Sequence, residues 1–250
     1  MERDFRQGSL QIDFPVEKFD SVAGLLWRSL RLFGSTLPFL VAVTLIVHLP
    51  GKALVQYVCD AAGVDREGVA SYLVMSLADL VFSALVAPAA IYGLVTKLRT
   101  GTTGSLGEAF RWGRRQYGKM LWTKIKVEIT ITLWTALLVI PGVVAMVRLF
   151  FTDAIVAVEG DRTSEVLVRS RELSAGYGWR VFWTMLTMLP VSVVQMYASL
   201  RSLQISRLLF VPVDSLAAVG DLWMTVVSLL IYLGLTAPVR VSYQGSRGKS

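Results

Sequence analysis

Four ionisable residues of this sequence are placed to fall at hydrocarbon depth: Asp79, Glu128, Arg148 and Asp153. A charge at hydrocarbon depth costs roughly 2.5–3.5 kcal/mol on insertion scales, so such groups pair with one another or line a polar path. Arg148 is the natural hub, with Asp79 or Asp153 as its partner. Asp153 lies five residues along the same segment, a poor angular match at about 100° per residue in a helix, so Asp79 is preferred. An ion pair that locks a bundle and a polar site for a substrate are the two readings. Glu128 is also placed to sit at an interface.

No other group adds catalytic chemistry. His48 is the single histidine, at the end of the first apolar run. It reads as interfacial and inert, with a proton relay as the alternative. Cys59 is the single cysteine, which excludes an intrachain disulfide and a Cys/His metal cluster. No zinc helix, nucleophile elbow or carboxylate dyad is present, and Gly101-Thr-Thr-Gly104 lacks the lysine of a phosphate loop. The expectation is no catalytic residue, no metal and no cofactor.

Elements able to hold charges in this way must be membrane helices. Of 250 residues 54% are hydrophobic and 17% charged, and mean hydropathy is +0.57. Soluble domains carry about 25% charged residues. Here the charges gather between long uncharged runs. The apolar runs cover about 33–57, 70–96, 127–158, 181–200 and 216–239. A span needs about 20 helical residues. The region 127–158 is too long for one span and short for two, and Pro141-Gly142 favours a break within it. The first 20 residues are polar and lack the apolar core of a cleavable signal.

Charge sets the orientation. The net charge is +7, and no nucleic-acid reader motif accompanies it. The loop 97–126 holds Lys97, Arg99, Arg111, Arg114, Arg115, Lys119, Lys124 and Lys126 against the single acid Glu108. By the positive-inside rule it is cytoplasmic. Six spans, with Pro141-Gly142 as an external turn, then place Arg162, Arg169, Arg171 and Arg180 and both termini inside. Five spans put the C-terminus outside. Six is favoured. Residues 1–20 and 241–250 are cytoplasmic ends of one transmembrane domain over 21–240. Asp214 and Asp221 bracket the start of the last run and are expected to be wet.

Two amphipathic segments accompany the spans. Ser21–Arg31 sets Leu25, Leu26, Trp27 and Leu30 against Arg28 and Arg31. Ser105-Leu-Gly-Glu108 has capping-box spacing, and a helix from there puts Leu106, Phe110, Gly113 and Tyr117 on one face and arginines on the other. It reads as an interfacial helix lying on the membrane. Three stretches also resemble one another: an arginine-bearing helix, an aromatic entry and a proline near the far end. Arg31 to Pro50 and Arg171 to Pro190 are both 19 positions apart. The pattern suggests three repeated helical hairpins. Arg111, Arg114, Arg115, Arg169, Arg171 and Arg180 are either lipid-phosphate ligands or plain topology determinants. The prolines serve as hinges or as tolerated kinks.

One set of residues has a likeness elsewhere. Ile140-Pro-Gly-Val-Val-Ala-Met-Val-Arg148, Ala157-Val-Glu-Gly160, Glu165-Val-Leu-Val-Arg-Ser-Arg-Glu-Leu-Ser174 and Gly178-Trp-Arg-Val-Phe182 resemble the membrane domain of glycerophosphoryl diester phosphodiesterases. They also resemble stand-alone YciC-like bacterial membrane proteins. The likeness is clearest over 105–200. It implies a helical fold in the bacterial cytoplasmic membrane and no established reaction. The phosphodiesterase activity resides in a domain with paired histidines and metal-binding acids, which this sequence lacks.

The expectation is an all-α polytopic bundle of about six spans, not an enzyme, with membrane lipids and other membrane proteins or itself as partners. A scaffold, lipid-associated factor or accessory subunit is the leading role. A small transporter or lipid-handling protein with a polar path around Arg148 is the alternative.

Overall fold

The structure is a computed structural model. It describes residues 21–64, 69–160, 165–205 and 207–236, so the polar N-terminal segment and the C-terminal tail lie outside the described residues. Every regular element among the described residues is helical. In order these are α1 (Val22–Ala61), α2 (Val69–Thr100), α3 (Leu106–Leu137), α4 (Val139–Arg148), α5 (Thr152–Glu159), α6 (Val166–Ser174), α7 (Gly178–Ile205) and α8 (Arg207–Thr236). The chain is an all-α bundle. Five segments are long and apolar enough to cross a membrane: Val22–Ala61, Leu73–Thr100, Val139–Glu159, Gly178–Ala198 and Val211–Thr236. This is a multi-pass membrane protein.

α1 begins at Ser21, whose hydroxyl accepts a hydrogen bond from the Gly24 amide at 3.1 Å. It then runs through Pro38 and Pro50 without ending. The arginine-bearing Ser21–Arg31 segment is therefore the first three turns of a 40-residue helix, not a separate surface helix. α1 and α2 pack antiparallel: Lys97 Nζ donates to the Ser35 carbonyl at 2.9 Å, and Lys52 meets Asp79 near the other end.

α3 starts on the expected capping box. Ser105 Oγ accepts from the Glu108 amide at 3.2 Å, and Glu108 Oε2 accepts from the Ser105 amide at 3.4 Å. The buried stripe differs from the expected one. Ala109, Trp112, Gly113, Gln116, Met120 and Thr123 are buried, at helical spacing, whereas Leu106, Phe110 and Tyr117 are only partly so. The stripe lies on protein. A Cβ on Gly113 would come within 2.8 Å of the Leu85 carbonyl oxygen, so glycine is what lets α2 and α3 approach. The Trp112 ring sits 6.1 Å from that of Tyr92, and its Nε1 donates to the Ala157 carbonyl at 3.1 Å. The expected interfacial helix is thus the first half of a long packed helix. Its outward face carries Arg111, Arg114 and Arg115, all exposed.

The region 127–158 breaks, but at Leu138 and not at Pro141-Gly142. Leu138 is extended (φ −159, ψ 139). Pro141 falls in the first turn of α4, where a missing N–H costs nothing. α4 turns back on α3. A Cβ on Gly142 would lie 2.9 Å from the Thr135 Cα, a contact only glycine avoids. After the break at Leu149–Phe151, α5 continues the return, and Lys119 Nζ donates to the Gly160 carbonyl. α7 and α8 form the last hairpin, with Gln195 Nε2 donating to the Ala217 carbonyl at 2.6 Å. The three expected hairpins are present as folded units. Only in the third is the arginine-bearing helix, α6, separate from the helix that follows.

The tight core occupies one end. Ala84–Val95 of α2, the α3 stripe, Phe151–Val158 and Val226–Leu233 of α8 supply most of its fully buried side chains. This is also the end that carries Lys97, Arg99, Arg111, Arg114 and Arg115. Towards the far end the helices enclose a polar cavity.

Candidate functional site: a charged cavity between the helices

The cavity has a volume of about 1250 Å³ and is walled by α1, α2, α3, α5, α7 and α8. It extends from Ala87, Phe150 and Ser228, against the packed core, to Asp60 and Ser71 at the far ends of α1 and α2. At its centre Lys52 stands between two acids. Its ammonium is 2.8 Å from Asp79 Oδ1 and hydrogen-bonds Asp214 Oδ2. Lys52 is 3% exposed, which is possible for an ammonium only because two carboxylates neutralise it. His48, one helical turn before Lys52, is 4% exposed and places Nδ1 3.6 Å from the same Asp79 oxygen. Its ring packs edge-on against Phe82 at 5.8 Å. A Cβ on Gly51 would strike that Phe82 ring, so the Pro50-Gly51 step brings α1 close to α2 beside the cluster.

Further groups surround this centre. Lys124 of α3 pairs with Asp153 at 2.9 Å, and Glu128 lines the same wall. Asp221 of α8 faces the cavity, and no described residue pairs with its carboxylate. Gln56 Oε1 is buried on the cavity wall and accepts no hydrogen bond from a described residue. Among the described residues the lining holds two lysines, Lys52 and Lys124, and six acids: Asp60, Asp79, Glu128, Asp153, Asp214 and Asp221. The described acids outnumber the lysines by four, a balance that favours cations.

The expected residues divide in two. Asp79, Glu128 and Asp153 come together on this cavity, while Arg148 does not. Arg148 is exposed at the end of α4, and among the described residues no acid pairs with it. The expected Arg148–Asp79 pair is not formed, because lysines take both proposed acids: Lys52 holds Asp79 and Lys124 holds Asp153. A path around Arg148 is likewise not what the cavity provides. His48 is a buried cavity residue and not an interfacial one, and Asp214 is an ion-pair partner as well as a solvent-facing acid. Lys52 and Gln56 were missed, because they fall near the end of the first apolar run, whereas α1 continues through Pro50 and beyond and carries both into the bundle. Of the second arginine set, Arg169 lies 3.7 Å from both Glu159 and Glu172, Arg180 is exposed, and Arg171 lies beside Arg148.

Compared with known proteins, the chain matches no family model, no curated protein and no solved structure. The fold and cavity therefore define a class, a multi-pass helical membrane protein with a charged internal cavity, and stop there.

Proposed function

We propose that this protein binds and carries a small, positively charged polar solute in the cavity around Lys52, Asp79, Asp214 and Asp221, without chemical change to it. The observation that carries the reading is the ionic cluster itself. Ionised groups within spans are costly and mark substrate or ion pathways. A site of fixed charges around an open volume is what a solute carrier requires. In this reading Lys52 keeps Asp79 and Asp214 poised when no solute is bound, and the cationic group of the solute competes for them. Asp221 supplies a carboxylate that forms no ion pair among the described residues.

The packed, arginine-bearing end is read as cytoplasmic and the cavity as opening to the other side, in the bacterial cytoplasmic membrane. Kinship with the stand-alone bacterial proteins named above belongs to the same proposal. It rests on the residues of the motif, whose serine has a clear task. Ser170 Oγ donates to the Arg148 carbonyl at 2.9 Å and accepts from the Phe151 amide at 3.2 Å, closing the break between α4 and α5.

The test is uptake into proteoliposomes of labelled arginine, choline and spermidine, against protein-free vesicles. Wild type takes up at least one of the three, and Asp79→Asn and Asp221→Asn lose that uptake while eluting as folded protein. No uptake of any probe, or uptake untouched by both substitutions, overturns the reading.

A further inference from the structure

A second recess lies outside the charged cavity. It has a volume of about 360 Å³ and runs between α3 and α4. Trp134, Ile140, Pro141 and Val144 make its floor, and Arg148 and Arg171 stand at one end. Both arginines are exposed, and no described residue pairs with either guanidinium. The groove therefore offers an apolar trough with two free cations at its head.

The hairpin that forms the groove presents it to lipid. Residues 129–147 contain no charged side chain, and the tip is apolar and outward-facing: Leu138 is 67% exposed and Ile140 78%. An unpaired arginine does not suit mid-bilayer, so the two guanidiniums call for lipid headgroups at the rim of the trough.

We propose that the α3–α4 groove is a binding site for an anionic phospholipid, with its phosphate held by Arg148 and Arg171 and an acyl chain along Trp134, Pro141 and Val144. Two arginines present fork-shaped donors suited to phosphate oxygens. The phosphate charge of phosphatidylglycerol is uncompensated, whereas the choline cation of phosphatidylcholine neutralises its phosphate, so phosphatidylglycerol is preferred.

The test titrates detergent-purified protein with phosphatidylglycerol, phosphatidylcholine and inorganic phosphate while following the thermal unfolding midpoint. Phosphatidylglycerol is expected to raise the midpoint saturably, and the other two to leave it unchanged. The double substitution Arg148→Gln, Arg171→Gln should weaken the apparent affinity by about tenfold or more, as loss of charge-assisted hydrogen bonds requires. An unaltered phosphatidylglycerol response in that variant overturns the site. An equal response to phosphatidylcholine overturns the anionic preference, and a full response to inorganic phosphate makes it a soluble-anion site instead. If the double variant does not elute as folded protein, native mass spectrometry of the wild type decides. Preferential retention of phosphatidylglycerol over phosphatidylcholine supports the site, and equal retention refutes it.

Discussion

Lys52 is the residue on which the most interactions of the cavity converge. Breaking a buried ion pair by removing one partner costs about 3–5 kcal/mol. Asp79 is 46% exposed on its side chain, so part of its charge is solvated and the loss belongs at or below the lower end of that range. Lys52→Met should therefore lower the unfolding midpoint in detergent, and Lys52→Met with Asp214→Asn should recover part of it, because one stranded charge is removed. A double variant no more stable than the single one would show that the cluster does not hold α1 to α8. The acids of this cluster were legible in the sequence, since a carboxylate in an apolar run demands a partner. The choice of partner was not. Arg148 was the cation visible inside a run, and Lys52 stood just beyond a Pro-Gly step. Proline within a membrane helix bends it without ending it, and the lysine is carried in with the next turn.

At the level of the element, the α3–α4 hairpin depends on two contacts that can be removed singly. Gly142→Ala sets a Cβ against the Thr135 backbone. Overpacking of this kind costs about 1–3 kcal/mol. Gly107→Ala, whose Cβ would meet nothing within 4 Å, is the matched control and should be neutral or slightly stabilising. Ser170→Ala leaves the buried Phe151 amide without its acceptor, at about 1–3 kcal/mol. Thermal midpoints of the three variants check this, and equal midpoints for Gly142→Ala and Gly107→Ala would refute the close approach. The sequence announced this hairpin through Pro141-Gly142 and announced the start of α3 through its capping box. It did not announce that the buried stripe of α3 is Ala109, Trp112, Gln116 and Met120. Small and aromatic residues of one helix are sorted into faces by the helices around them, and those neighbours are distant in sequence.

At the scale of the molecule, α3 runs antiparallel beside α2, and the segment Val139–Glu159 that follows it is itself long and apolar enough to cross. Six passes, α1, α2, α3, α4–α5, α7 and α8, are therefore expected to return both ends of the chain to the arginine-bearing side. Reporter fusions after Arg99 and after Lys249 should report the same side, and opposite sides would refute the arrangement. A cysteine at Leu138 in a Cys59→Ser background should react with a membrane-impermeant maleimide from the side opposite the arginines only, and protection from both sides would refute a full crossing. The number of apolar runs was readable from hydropathy. How region 127–158 divides was not, because hydropathy records that residues prefer lipid and not how far into it they go. The short apolar half of α3 also bears on how the protein is made. Only 129–137 of α3 is free of charge before the chain turns, too few residues to partition from the translocon as a span. α3 is therefore expected to enter the membrane against its neighbour, once its Gly113 face has found Leu85 of α2. Biogenesis of this helix then waits on tertiary structure, and a substitution that loosens the α2–α3 contact should leave α3 outside the membrane, within reach of proteases, while the flanking spans insert normally.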